Sequence, residues 1–546
     1  MRKTTRGITL AAGAAAVALA LTACGGGSGS SSAGGAYGAG VVSDYWGTPQ
    51  NALTPGNTNE VNGSKVIDSI LTGLVSYDPK TNKAINENAA SITTTDQQNF
   101  TVKLKPGWKF TDGTPVTAHS YVDAWNYAAL STNKQLNSAY FATVKGFDKV
   151  NPTSGSPTAK TMSGLKVVND DEFTVSLTAK NSTWPQQLGF LAYDPLPQSF
   201  FKDPAAWSKN PVGDGVYKVS GSYTPGSNLK LVPNTAYAGT QKVQNKGVEL
   251  VVYTDPNSAY SDLQSNKLDL LDNNIPETDR ANMNSDLGGR VVNTPAGYIS
   301  EIAFPLYNGQ WGTAKAAKLR QGLSMAIDRN SIAKTILHDT VTPAKDFTSP
   351  ALGTAGGYDS SILGQYGTYN PTEAKKLIQE AGGLPGGKMT ITYNSDGPNA
   401  TWVSAVCNSI NTVLGNNTAC VGKPVTTFAS LRNQITDKQM TSAFRSSWSM
   451  DYPLAEDFLQ PLFASDGSAN DAHYNNPQFD KLIAEGNAAS SPAQANKYFQ
   501  QAEQLLVRDM PAIPLWYTNA TAGYSKNVSG VQMDGFSNPV LWAVKK

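Results

Sequence analysis

The chain has 546 residues, with 43 Lys+Arg against 42 Asp+Glu, 49 Gly, 31 Pro, 3 Cys and 3 His. At about 150 residues per domain this length makes three to four domains or two large lobes, able to bury their cores without a disulfide scaffold. The near-zero charge argues against a general nucleic-acid binder, the scarcity of His and Cys against a His- or Cys-rich metal site, and a hydrophobic content of 40% against a polytopic membrane protein.

The first forty residues set the compartment. Arg2, Lys3 and Arg6 precede an apolar run from Gly7 to Leu21 that is short for a bilayer span, the pattern of a secretory signal over residues 1–23. It ends in Leu21-Thr22-Ala23-Cys24, which resembles the lipobox of bacterial lipoproteins, in which Cys24 becomes the lipidated N-terminus. Residues 24–43 are rich in Gly and Ser and read as a flexible tether. Removal of the signal lowers the bases from 43 to 40 against 42 acids, so the mature chain is near neutral. Cys407 and Cys420 then face an oxidising medium and enclose a short polar loop, and a local disulfide is the expected state. A catalytic thiol is the alternative, and no histidine lies near either cysteine in sequence.

Beyond the tether, strands and helices are mixed. Asn99–Leu104 alternates as a strand does, Asp112-Gly113-Thr114-Pro115 marks a turn, and Thr117 is placed to cap a helix through Tyr121, Trp125 and Tyr127. Further strands are predicted over Glu172–Leu177 and Lys246–Tyr253. Helical periodicity predicts helices over Ala314–Ile327, over Ile332–Leu337 after a cap at Asn330 or Ser331, over Pro371–Ala381 and over Pro492–Asp509. On the last of these, Tyr498, Ala502, Leu505 and Leu506 share one stripe. The pattern is that of two α/β lobes between which the chain passes more than once.

Catalytic motifs are missing. There is no G-x-S-x-G elbow, H-E-x-x-H helix, Walker loop or G-x-G-x-x-G fingerprint. His119, His338 and His473 are far apart, and nothing selects a carboxylate pair for glycoside hydrolysis. Neither a metal nor a cofactor is expected.

Five spaced segments point elsewhere. Lys105-Pro-Gly-Trp-Lys-Phe-Thr-Asp-Gly-Thr-Pro-Val-Thr-Ala118, Asn210-Pro-Val-Gly-Asp-Gly-Val-Tyr-Lys218, Leu319-Arg-Gln-Gly-Leu-Ser-Met-Ala-Ile-Asp-Arg329, Ala472–Ile483 and Pro511–Tyr517 occur in this order. Together they resemble the family 5 extracytoplasmic solute-binding proteins of ABC importers, the oligopeptide- and dipeptide-binding group. Two departures stand out: His119-Ser120 follows Thr117-Ala118 where an acid is usual, and Asp451-Tyr452-Pro453 continues as Leu454-Ala455-Glu456-Asp457.

The resemblance implies a two-lobed, hinged α/β fold of the periplasmic-binding-protein kind (class II, cluster C) with an extra inserted domain. Residues 44–71, 204–300 and 516–546 would make the first domain, 72–203 the insertion and 301–515 the third. It implies a monomeric binding protein, not an enzyme, lipid-anchored to the outer face of the bacterial cell membrane and working with ABC permease subunits. Short peptides are the implied ligand; an oligosaccharide, a metal chelate or another small molecule in the same fold is the alternative, and a secreted hydrolase a more distant one. Asp451 would hold the ligand's α-ammonium and Arg445 its carboxylate, with Trp448, Tyr452, Trp402 and Tyr474 as candidate pocket walls. Asn59 and Glu60 would reach the cleft from the first domain, Glu60 favouring basic side chains.

Overall fold

The structure is a computed structural model and describes residues 37–546; the signal segment, Cys24 and most of the Gly/Ser tether lie outside the described residues. Alternation translates directly into strands. In Asn99–Leu104 the side chains of Phe100, Val102 and Leu104 are buried while Asn99 and Lys103 are exposed. This strand lies in a four-stranded antiparallel sheet with Ala89–Thr94, Glu172–Ser176 and Leu165–Asn169. Against it packs the helix Ala118–Ala129, which starts after Thr117 as its sequence predicts, with the Thr117 N–H donating to Ser120 Oγ at 3.1 Å. Trp125 is fully buried, stacked edge-on to Phe173, Trp184 and Tyr193, and its indole N–H donates to the Tyr193 carbonyl at 3.0 Å. A buried indole that keeps its hydrogen bond contributes area without the cost of an orphaned donor.

The larger sheet has eleven strands and runs through the whole molecule. From one edge the order is Cys420–Val425, Met389–Asn394, Ala443–Ser449 and then Val291–Ala303. It continues through Ala512–Tyr524, Leu270–Asp272, Val41–Trp46, Gly247–Val252, Leu229–Pro233 and Tyr217–Ser220, with Val341–Pro343 pairing to Ala512–Tyr524 as a side branch. Two hydrophobic cores flank its middle. One draws on residues from Val42 to Leu270 together with Val528, Leu541 and Val544. The other is built from Ile299 to Tyr517. Residues 72–203 carry the four-stranded sheet but share the first core with the segments on either side of them.

The lobes are joined through two strands of 13 residues each, Val291–Ala303 and Ala512–Tyr524, paired antiparallel from Val291↔Gly523 to Ala303↔Ala512. Their register breaks between Pro295 and Ile299. There the Gly297 N–H donates to the Gly535 carbonyl at 2.7 Å and its carbonyl accepts the Met450 N–H at 2.6 Å. A side chain at Gly297 would collide with Met450, whose Cβ lies 2.5 Å from where a Cβ would sit, so this close approach requires glycine.

Helix ends show where sequence reading and structure part. Pro492–Asp509 is a helix over the predicted range, but its buried face also takes Glu503, fully buried beside Asp346. The helix after Ala314–Met325 is capped by Asp328, not by Asn330 or Ser331; it spans Arg329–Thr335, and Asp328 Oδ1 accepts the Ser331 N–H at 3.0 Å. An acid three residues ahead of a free N–H is a better cap than a residue already inside the turn. Arg329 is thereby turned inward, donating to the carbonyls of Pro514 and Ser324, both at 2.9 Å. Cys407 and Cys420 are both buried and form the expected disulfide, across 4.9 Å between Cα atoms. Closing a loop of this size stabilises a fold by about 3 kcal/mol.

Glu301 lies within the crossing strand, buried, with Oε1 unpartnered. Burial pushes its carboxyl up from 4.5 to about 8. The folded state therefore holds a proton that the unfolded chain releases, and stability falls as pH rises from about 5 to 8. Urea unfolding at pH 5 and pH 8.5 should show a smaller loss of stability for Glu301→Gln than for the wild type.

Candidate functional site

A cavity of about 360 Å³ opens between the lobes. Its walls come from the helix Val61–Ile70 and the turn before it, from Tyr77, Asn82 and Tyr140, from Phe190 to Asp194, from Ser449 to Asp451, and from Asp534 to Trp542. Of the residues expected from sequence, Asp451, Asn59 and Glu60 line it.

Asp451 follows the end of the strand Ala443–Ser449. Its backbone N–H donates to Asp457 Oδ2 at 2.9 Å, which fixes the loop's course and points the carboxylate toward the other lobe. There Tyr140 lines the same cavity, with its hydroxyl close enough to favour the ionised Asp451 carboxyl. Burial raises the Asp451 carboxyl to about 6, and Tyr140 works against that rise. Behind Asp451, the first turn of the helix Ala455–Phe463 presents Glu456 and Asp457, both buried. Acids in a first turn are favoured by the exposed N–H groups there. The Glu456 carboxyl is raised to about 7 by burial; it accepts the Tyr452 hydroxyl at 2.9 Å and, from the other lobe, the Gln187 amide at 3.4 Å. Asp457 is pushed well above the ordinary carboxylate range by burial and then by the charge of Asp451.

Strand alternation sorts the remaining candidates. Arg445, Ser447 and Ser449 share one face, and Ser449 lines the cavity. Trp448 falls on the opposite face, packed against the C-terminal core with its indole N–H 3.4 Å from Asp457 Oδ2. Tyr452 is spent on Glu456. Tyr474 is buried in the C-terminal core with its hydroxyl donating to Asp509 at 2.7 Å, so it walls no part of the cavity. Trp402 is likewise a core residue, edge-on to Trp516. It still connects to the site: its N–H donates to Asn399 Oδ1 at 3.1 Å, Asn399 Nδ2 to Asn394 Oδ1 at 3.1 Å, and Arg445 to the same oxygen at 3.2 Å. Arg445 is held further by Ser447 Oγ at 2.7 Å and lies over the Phe428 ring. Among the described residues no carboxylate forms an ion pair with this guanidinium. Glu60 caps the helix Val61–Ile70, its two oxygens accepting the N–H groups of Asn62 and Gly63 at 2.8 Å each, and Asn59 accepts the Asn51 amide at 3.2 Å.

Sequence reading missed Tyr140, Glu456 and Asp457. The last two stood in plain view, as the departure after Pro453. Tyr140 has no such signal, being 311 positions before Asp451. Among the described residues no group of three or more ligand-type side chains is placed to hold a metal ion.

The model of the bacterial extracellular solute-binding proteins, family 5 middle, matches residues 83–470. The periplasmic oligopeptide-binding protein OppA of Salmonella typhimurium is 26% identical over 481 residues, 86% of either chain. The oligopeptide-binding protein OppA of Bacillus subtilis is 24% identical over 503 residues, 89% of this chain and 88% of that one. Among solved structures, the unliganded open form of the murein tripeptide-binding protein MppA superposes with a TM-score of 0.79 at 20% identity, covering 92% of this chain and 96% of the other. The two-lobed binding-protein fold is thereby established.

Replacing Asp457 by Ala removes the acceptor of the Asp451 N–H, and a buried donor left unpaired costs about 1–3 kcal/mol. Denaturant unfolding should show that loss, and Trp448 emission should shift because the indole loses the same partner.

Proposed function

Since the chain belongs to the bacterial extracellular solute-binding proteins of family 5, we propose that it captures short peptides between its lobes and hands them to the permease of an ABC importer. Membership makes it an extracytoplasmic binding protein and not an enzyme. The observation that carries the peptide reading is the placing of opposite charges on one strand and in the loop that follows it. Asp451 stands at the cavity, and Arg445 lies on the strand face that ends at Ser449, without an acidic partner among the described residues. Four residues of strand span about 13 Å, the length of an extended peptide of about four residues. An α-ammonium on Asp451 and an α-carboxylate on Arg445 would both make charge-assisted bonds in a partly desolvated cleft, and a guanidinium fork suits a carboxylate. The OppA relatives are named for oligopeptides, in keeping with this assignment.

In this reading Trp402 and Asn399 position Arg445 and do not touch ligand. The chain divides into a first domain of 44–71, 204–300 and 516–546, an insertion of 72–203 and a third domain of 301–515. The lobes close about the register break near Gly297, and ligand stabilises the closed state by bridging them. A monomer tethered through a lipid on Cys24 at the outer face of the membrane completes the proposal.

Calorimetry with peptides of two to eight residues tests it. Asp451→Ala should weaken binding at least tenfold, as should Arg445→Met for free-acid peptides but not for their C-terminal amides. The affinity of the wild type should fall as pH drops through about 6, where Asp451 takes up a proton and loses its hold on the ammonium. A protein that binds none of these peptides would refute the peptide reading.

A further inference from the structure

The cavity wall holds more acidic groups than an α-ammonium needs. Five acids line it, Glu60, Asp68, Asp194, Asp451 and Asp534, and Lys65 is the one basic residue in its wall. Lys65 is already committed, its ammonium 2.8 Å from Asp44 and 2.8 Å from Asp272. Among the described residues, none of the five acids forms an ion pair.

Asp194 is the informative member. It is 6% exposed, yet no donor among the described residues reaches its carboxylate, and it borders the cavity. Its Oδ1 lies over Gly73, where a Cβ would come within 2.8 Å, so the backbone leaves space for it. Buried carboxylates are ordinarily hydrogen-bonded. Asp214 nearby shows the usual arrangement, accepting the Thr72 N–H at 2.9 Å and the Asn88 amide at 2.8 Å. Asp68, exposed on the cavity side of the helix Val61–Ile70, accepts no hydrogen bond among the described residues either. The charges of Asp68 and Asp214 bear on Asp194, and that of Asp534 on Asp68, so the group acts as one electrostatic unit. What the site lacks is a donor with positive charge. No three of these side chains are placed to enclose a metal ion, and the spread suits an organic cation on a flexible stem.

We propose that Asp68, Asp194 and Asp534 form a subsite for the side-chain ammonium or guanidinium of a lysine or arginine in the bound peptide. The assignment rests on the peptide reading above and goes further by naming which peptides are preferred. Seated there, the cation donates to the Asp194 carboxylate and relieves the repulsion among the three acids. Asp451 remains free for the α-ammonium.

The test uses purified full-length protein and three families of tripeptide, built on alanine with one lysine, norleucine or glutamate placed at each position in turn. At one position, lysine should bind at least tenfold more tightly than norleucine, with glutamate weakest. Asp194→Asn and Asp68→Asn should each reduce the lysine preference severalfold and leave the norleucine peptide unchanged. Equal affinities for lysine and norleucine at every position, or variants that weaken all peptides alike, overturn the subsite while leaving peptide capture standing. Agmatine, a guanidinium without a peptide backbone, gives the independent arm. A rise in melting temperature with agmatine that Asp194→Asn abolishes supports the subsite even if no tripeptide binds, which would count only against the peptide reading. Absence of that rise together with absence of tripeptide binding overturns both.

Discussion

Everything in this molecule depends on one strand pairing. Val291–Ala303 and Ala512–Tyr524 run side by side through both lobes, so a single sheet is shared by two cores. Such a pairing could make the molecule stiff. It does not do so uniformly, because the ladder is interrupted between Pro295 and Ile299, and Gly297 bonds there to Gly535 and Met450 instead. The break lies beside the cavity, so the cleft wall adjoins an interruption of the ladder. Met450 and Asp451 follow directly from one contact, and Asp534 adjoins the other.

The second organising fact is the handling of acid. Around the cleft Asp451, Glu456, Asp457, Asp194, Asp214 and Asp534 all have carboxyls raised by burial before any neighbour acts. A fold that keeps so many carboxylic groups poorly solvated holds stability in reserve for a positively charged visitor. Near neutrality in the whole sequence conceals this, since 43 bases and 42 acids are spread over the chain while five of the six charged residues in the cavity wall are acids. On the peptide proposal, selectivity would arise from local desolvation and not from a bulk field.

Much of the architecture was legible in the amino-acid order, because alternation and helical periodicity report burial directly. Asn99–Leu104 and Pro492–Asp509 are examples. The candidate site was legible only where it is local. Arg445 and Asp451 came from the family resemblance and not from periodicity, and they lie close in sequence on one strand and the loop that follows it. Trp448, a candidate pocket wall through its closeness to Asp451, proves one residue out of phase with the cavity-facing row once the strand is seen. Trp402 and Tyr474 are large aromatics in a polar context, and sequence alone cannot distinguish a wall from a core residue whose polar tip has found a partner. Asp68, Asp194 and Asp534 were beyond reach, since they come from three segments that only the finished fold brings to one cavity.

The crossing strands also set a schedule for folding. The first core is completed by Val528, Leu541 and Val544, and the strand Leu270–Asp272, paired on one side to Val41–Trp46, gains its second neighbour only in Ala522–Tyr524. A chain that emerges amino end first therefore cannot finish its first lobe until nearly its last residue has appeared. Pairings of such long sequence separation close slowly, and the incomplete lobe exposes apolar surface while it waits. For a member of an extracellular family, the closing segment doubles as a checkpoint: the part of the molecule made last decides whether the part made first becomes a binding protein at all.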